Sequence, residues 1–530
     1  MTEKMKKIYS IAIIASALLL SSCNDFLDKL PDDRATVDSE EKVNNLIATA
    51  YPTNSPIMML EMSSDNMMDN GKQYTAQPNQ DAMYRWEEVT TTGNDDPRSL
   101  WNSCYTAVAT ANEALQGINS IGADQLKPQR AEALLCRAYG MFVMANTFCM
   151  AYNPDKAGEY LGLPYPTEPE QSVETKYERG TLEELYAKIN ADIEEALSMV
   201  DDNHLAGKAV KYHFNRKAAY AFAARFNLYY QKWDKAIQYA TEVLGNNPSG
   251  VLRDYWQFKD LAGPEDINNA YISSGENANL MLQTANSTAA RVFNGSSSYL
   301  RYNHSRVLIL NETYWVRMPW GSGSDATTSQ ATTHLLVSNY QYGNAQVVYF
   351  PNIREKFEYT DKVNGTGYAH IVDPVFTGEE TLLVRAEAYA LTKQYDKALA
   401  DMNAWQASHC TAGYTPFTEA VINDFMDKLA YQPTVPTSDL QRSVKKTLSP
   451  QGFTVEAGTQ ENIIQTILHM RRIETMRQGL RFQDLKRYGI KFSHNLDGEE
   501  ALVFEPGDLR GAIQLPADVV KAGLEANPRK

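Results

Sequence analysis

The sequence predicts a mainly α-helical fold: a tetratricopeptide-like scaffold of helical pairs, a large irregular loop-rich portion suited to ligand binding, and a few short strands. Three observations predict it. Apolar residues recur at helical spacing through much of the 530-residue chain. Two segments, "YYQKWDKAIQYATEVL" (229–244) and "YALTKQYDKALADMNAW" (389–405), share an aromatic-Asp-Lys-Ala-aliphatic core, the mark of a repeated helix-turn-helix unit. Around and between them lie stretches without helical period, rich in Asn, Gly, Ser and aromatic residues.

Residues 1–22 read as a lipoprotein signal peptide. Lys4, Lys6 and Lys7 precede an apolar run from Ile8 to Leu20, too short for the roughly 20 residues that span a bilayer. Leu20-Ser21-Ser22-Cys23 then matches a bacterial lipobox. Cleavage there makes Cys23 the lipid-bearing N-terminus, and two or more acyl chains anchor stably. Residues 23–38 form a polar spacer. Residues 39–530 are expected to form one domain, with loop-rich insertions at about 61–95, 250–375 and 412–460.

Within that domain, 97–118 opens on Pro97, a favourable first-turn residue, and aligns Trp101, Tyr105, Val108, Leu115 and Ile118. Residues 128–149 repeat the pattern. Residues 181–199 begin with Thr181 and Glu184, a capping box. Residues 215–230 and 379–392, rich in Ala and aromatics, precede the two repeat segments. In the long insertion the one regular element expected is a strand at Gln346–Phe350.

A net charge of −15 argues against nucleic acid, whose affinity rests on neutralising phosphates. Cys104, Cys136, Cys149 and Cys410 form no CxxC pair and read as buried thiols, although export permits a disulfide whose pairing the sequence leaves open. Catalytic signatures are missing. "GSGSD" (321–325) lacks the closing glycine of a nucleophile elbow. "DNMMDNG" (65–71) fails the calcium-loop spacing, and the eight histidines are scattered. No catalytic residue, metal or cofactor is expected.

What remains is a binding chemistry. Sugar rings offer flat C–H faces to aromatic platforms and hydroxyls to Asp, Asn and Arg. Both irregular regions hold that mix: Asp65, Asp69, Asn70, Tyr84, Arg85 and Trp86 in the first, and Tyr302, Tyr314, Trp315 and Trp320 in the second. Core packing is the competing reading for each aromatic.

The chain also resembles the SusD-like family of outer-membrane nutrient-binding lipoproteins. The resemblance rests on "CNDFLDKLP" (23–31), "LWNSCYTAVATANEAL" (100–115), "AEALLCRAYGMFVMANTF" (131–148), "ETLLVRAEAYALTKQYDKALADMNAW" (380–405), "RRIETMRQGLRFQDLKRYG" (471–489) and "IQLPADVVKAGLEANP" (513–528). It departs at Gln478, where the family usually has glutamate, and at Met470, where an acid usually stands. The resemblance implies a non-catalytic surface protein that captures glycans and delivers them to a SusC-like TonB-dependent outer-membrane barrel, which it caps as a lid. It implies a lipid anchor at Cys23 and no nucleic-acid partner. Peptide or glycopeptide capture is the alternative, with a surface polysaccharide hydrolase or a scaffold for the barrel as more distant readings.

Overall fold

The computed structural model describes residues 37–170, 176–205, 207–258, 260–294, 300–320, 335, 336, 348, 350 and 352–529. The leader, Cys23, most of the spacer, and residues 346, 347 and 349 of the expected strand lie outside the described residues.

The longer helices follow the sequence pattern closely: α1 (Glu40–Ile47), α2 (Pro97–Ile121), α3 (Lys127–Phe148), α4 (Leu182–Leu197), α5 (Arg216–Tyr229), α6 (Trp233–Leu244), α7 (Gly378–Leu391), α8 (Tyr395–His409), α9 (Glu419–Met426), α10 (Thr459–Glu474) and α11 (Arg481–Arg487). Their starts carry caps that supply acceptors to otherwise unpaired N–H groups. Asp96 accepts from Ser99 N at 2.7 Å, and Asn215 from Ala218 N at 3.0 Å. The Thr181–Glu184 capping box forms in both directions.

Helices pack as neighbours along the chain: α2 on α3, α3 on α4, α5 on α6, α6 on α7, α7 on α8. The two repeat units are α5–α6 and α7–α8, and they turn in the same way. Gln231 and Lys393, each two residues before the conserved-pattern aromatic (Trp233 and Tyr395), adopt φ of 61° and 59°. Such left-handed backbone is uncommon for non-glycine residues, so its recurrence at equivalent places marks a shared turn geometry. Small residues on α5 and α7 let the pairs close in, and Phe222 and Phe226 of α5 pack against Phe142 of α3, with Phe222 also against Phe376 just before α7.

The long insertion holds more regular structure than its composition suggests. Strands β2 (Asn279–Ala285), β4 (Lys356–Asp361) and β5 (Thr366–Thr377) form an antiparallel sheet in the order β2-β5-β4. The sequence missed it because β2 is buried along nearly its whole length and lacks the alternation that identifies a half-buried strand. β5 runs straight into α7. At the junction a Cβ on Gly378 would fall 1.8 Å from the Val251 carbonyl oxygen, so this contact requires glycine. The remaining strands are short: β1 (Met68–Asp69) pairs β3 (Tyr302–Asn303), and β6 (Phe492–His494) pairs β7 (Leu502–Phe504).

The 471–489 segment builds an internal ionic frame. Arg471 reaches Asp484 at 3.0 Å and Glu387 at 3.5 Å, and Arg487 bridges Glu387 at 2.8 Å and Asp484 at 2.7 Å. Paired in this way, the buried charges tie α7 to α10 and α11. Cys104, Cys136, Cys149 and Cys410 are free and buried.

Candidate functional site

The two irregular regions meet. β1 pairs with β3 so that Asp69 lies opposite Tyr302 and Met68 opposite Asn303, and Asn70 N donates to Arg301 O at 2.7 Å. This register brings Asp69, Asn70, Tyr84, Arg85, Trp86 and Tyr302 into one cluster.

Its centre is a column of four stacked rings. Tyr302 lies 4.2 Å from Tyr84, Tyr84 4.0 Å from His494, and His494 4.3 Å from Trp86, with interplanar angles of 19°, 3° and 16°. The Arg301 guanidinium sits 5.0 Å from the Tyr302 ring and that of Arg510 5.0 Å from Trp86, so cations attend both ends. Trp86 is held in left-handed backbone (φ 55°), a strained state for a bulky residue, with its indole N–H on Ser63 O at 2.9 Å. Burial pulls His494 down to about 4, against two carbonyls, of Tyr84 and Ser64, that draw it the other way.

The column's sides are closed. Tyr84, Trp86 and Tyr302 are buried, and their polar atoms are engaged. Tyr84 Oη donates to Asn495 O, and Tyr302 Oη donates to Asp81. These three rings support the surface above them and present no face for a sugar to stack on. Asp65 and Tyr314 are buried as well. Asp65 accepts two hydrogen bonds of 2.8 Å from Arg481, and Arg472 stands 3.5 Å away. Burial pushes the Asp65 carboxyl up, but the two guanidiniums outweigh it and hold it far below the usual range. Tyr314 Oη donates to Ile473 O at 2.9 Å. Trp320 is fully buried against Trp405 and His469. For Asp65, Tyr84, Trp86, Tyr302, Tyr314 and Trp320 the structure therefore replaces ligand contact with internal packing.

Of the remaining members Asn70, Arg85 and Trp315 reach the surface, and Asp69 keeps its carboxylate inside. Arg85 forks onto Glu499 at 2.8 and 3.1 Å and also meets Asp81 at 3.1 Å. Arg301 donates twice to Asp69 at 3.2 Å, and the buried Asp69 carboxylate also receives Gly71 N and Asp497 N. Asn70, Arg85 and Arg301 are half-buried, as is Trp315, which follows the short helix Arg306–Asn311. Lys72, Gln73 and Glu499 are exposed beside them.

Residues 25–228 match a family model named SusD-like and described as starch-binding, associating with the outer membrane. Among solved structures, a SusD superfamily protein from Bacteroides thetaiotaomicron is 17% identical, with 93% of this chain and 100% of that chain covered and a TM-score of 0.60. A SusD-like carbohydrate binding protein from Bacteroides vulgatus is 15% identical over 88% and 89%, at 0.57. A SusD-like protein from Bacteroides fragilis is 15% identical over 94% and 99%, at 0.61. The fold is that of the SusD-like structures, and the first part of the chain matches the SusD-like family model. No curated protein matches it.

The chain holds a second concavity that sequence reasoning did not find. It has a volume of about 650 Å³ and lies between α2, residues 164–170 and 176–178, and the segment 519–524, with Trp101, Tyr105, Tyr177, Glu168 and Glu170 in its lining. Its parts are scattered along the chain, and Trp101 and Tyr105 read correctly as one helical stripe. Nothing in that stripe signals that its outer end faces a cleft.

One alignment resembles a catalytic triad. Ser408 Oγ lies 2.8 Å from His409 Nδ1, and His409 Nε2 lies 2.8 Å from Glu474. However, Nδ1 also faces the Trp405 carbonyl at 2.9 Å. A ring nitrogen facing a carbonyl carries the proton, so it cannot accept one from the serine. Among the described residues no helix is long and apolar enough to cross a membrane, and no cluster could hold a metal ion.

Proposed function

We propose that this SusD-like chain is a non-catalytic binding protein that captures glycans at the face where residues 69–85 and 301–315 meet. The observation that carries the reading is the convergence itself. Two irregular segments far apart in sequence are registered through β1 and β3 on a rigid ring column, which presents the half-buried Asn70, Arg85 and Arg301. A preformed support of this kind lowers the ordering cost of binding. The family description and the carbohydrate-binding neighbour support the ligand class. Lipid attachment at Cys23 would place the protein on the outer membrane, where a SusC-like barrel would receive the glycan with this protein as its lid.

A second reading places the ligand in the 650 Å³ cleft, favoured by its volume and by Trp101, Tyr105 and Tyr177 beside acidic residues. Calorimetric titration of the purified chain against a glycan panel tests both. Loss of binding in Arg301→Ala or Trp315→Ala, with Tyr177→Ala unchanged, supports the first face. The opposite result moves the site to the cleft, and retention of peptides with no glycan retained sinks the glycan reading.

A further inference from the structure

The cleft between α2 and residues 519–524 has a chemistry that narrows what it can hold. One wall is a stripe of α2, with the Trp101 and Tyr105 ring centres 4.8 Å apart. The exposed Tyr177 adds a third ring to the lining. A volume of about 650 Å³ lies within the range of small-ligand sites.

Most uncharged polar groups of the lining hold the walls together. Tyr105 Oη donates to Pro164 O at 2.8 Å, and Asn112 Nδ2 donates to Pro166 O at 3.0 Å. Asn112 Oδ1 accepts from Arg137 at 2.9 Å, and Tyr177 Oη donates to Glu170 at 3.0 Å. Trp101 differs. It is only 8% exposed, yet its indole N–H meets no acceptor among the described residues. Buried indoles ordinarily find one, as Trp86 does on Ser63 O and Trp405 on Glu474. The Trp101 nitrogen is not among the atoms sealed in the core, so the space it opens on is the cleft. Glu168, Glu170 and Glu178 line the same cleft, and none forms an ion pair among the described residues. Lys176 is the one cation in the described lining.

We propose that the cleft holds a glycan bearing free amino groups. Its ring faces lie on Trp101 and Tyr177, a sugar oxygen accepts the Trp101 N–H, and its ammonium groups sit among the three glutamates. The proposal rests on the reading of the cleft as a ligand site and goes further by naming the ligand's charge. Three carboxylates against one ammonium leave the cleft net negative. That balance favours a cationic sugar over a neutral one of the same shape, and it repels uronates and sulfated sugars. A basic peptide would match the charge as well. A peptide added as a strand, however, needs N–H groups along the wall, and Pro164, Pro166 and Pro169 withhold them.

The test is calorimetric titration of the full chain at pH 6 with a β-1,4-linked glucosamine trisaccharide, its N-acetylated form and trilysine. The amino sugar is expected to bind one per chain, about tenfold tighter than the acetylated form, and to lose that margin in high salt. Trp101→Phe keeps a ring and removes the N–H, and should weaken both sugars about fivefold with the melting profile kept. Glu168→Gln combined with Glu178→Gln should bring the two affinities within about twofold. Equal affinity for the two sugars in the parent overturns the proposal, and weakening of both by Trp101→Phe would then leave the cleft as a neutral-glycan site. A margin that survives the double change, or trilysine bound as tightly as the amino sugar, also overturns it. Binding of neither sugar, or binding untouched by Trp101→Phe, overturns the proposal and the cleft reading together.

Discussion

Asp65→Asn separates an ionic strut from a ligand contact at a residue whose sequence context suggested the latter. The substitution keeps the shape and removes the charge. In the parent, Arg481 gives Asp65 both Nε and NH2 bonds at 2.8 Å, and the side chains are 3% and 8% exposed. Arg472 does not depend on it: it keeps Glu312 at 3.0 Å and Asn66 Oδ1 at 2.9 Å. The change therefore strands one buried guanidinium, which costs about 3–5 kcal/mol. With an unfolding entropy of about 2.1 cal/mol/K per residue, a chain of this size should lose on the order of 3–5 °C in Tm. Differential scanning calorimetry measures the loss, and glycan titration of the folded variant measures the binding. Expected are a lower melting temperature and unchanged affinity. An unaltered melting temperature with lost affinity would refute the argument and return Asp65 to the ligand.

Three further outcomes follow from the packing. Trp86→Ala removes a ring from the column and the indole bond to Ser63 O, and should cost about 3–5 kcal/mol in urea unfolding, as for other buried aromatics; a loss below about 1 kcal/mol would show that the column bears no weight. The four cysteines of the body should resist a thiol reagent at pH 8 and react once the chain is unfolded, because burial pushes Cys149 up to about 11 and Cys410 to about 12; rapid labelling of the folded chain would contradict this. Glu132 bonds His204 Nε2 at 2.8 Å, His213 Nδ1 at 2.7 Å and Tyr51 Oη at 2.6 Å. Burial raises Glu132, but the histidine bonds outweigh it and hold its carboxyl below the usual range; burial lowers His204, but the Glu132 bond outweighs it and raises the ring above its usual value. The carboxylate's contribution is present above about 4.5 and is lost as pH falls through its depressed value. The His204 contribution is present below about 6.5 and is lost as pH rises through its raised value, so Glu132→Gln should flatten stability against pH on both sides.

The helical scaffold was legible because its signals are local. The cap at Thr181, the first-turn Pro97, stripes such as Trp101–Tyr105–Val108 and the Trp233/Tyr395 repeat each lie within a few turns of one helix. The sheet β2-β5-β4 was not legible, since β2 is buried almost throughout and its apolar run carries no period of two. The two irregular regions were legible in composition, but neither their meeting nor their depth was. Composition singled out Asp69, Tyr84, Arg85 and Trp86 in the first and Tyr302 in the second, and the β1–β3 pairing that joins them leaves no local signal. Which of them face outward depends on His494, which comes from the far end of the chain and inserts between Tyr84 and Trp86.

That insertion also explains why the most polar-looking motif lies inside the protein. A long loop region has backbone and side-chain polar groups that no helix or sheet ladder satisfies. Here "RRIETMRQGLRFQDLKRYG" supplies the missing donors from within. Arg472 takes Asp65 O and Asn66 Oδ1, Arg477 takes Asn303 Oδ1, and Arg481 takes the Asp65 carboxylate. Both loops of the candidate site, 65–70 and 301–303, are thus pinned to the helical frame by arginines of one segment. An irregular face held this way can vary its outer side chains while its backbone stays fixed, which is the condition for a binding surface whose specificity lies in a few half-buried groups such as Arg85, Arg301 and Trp315.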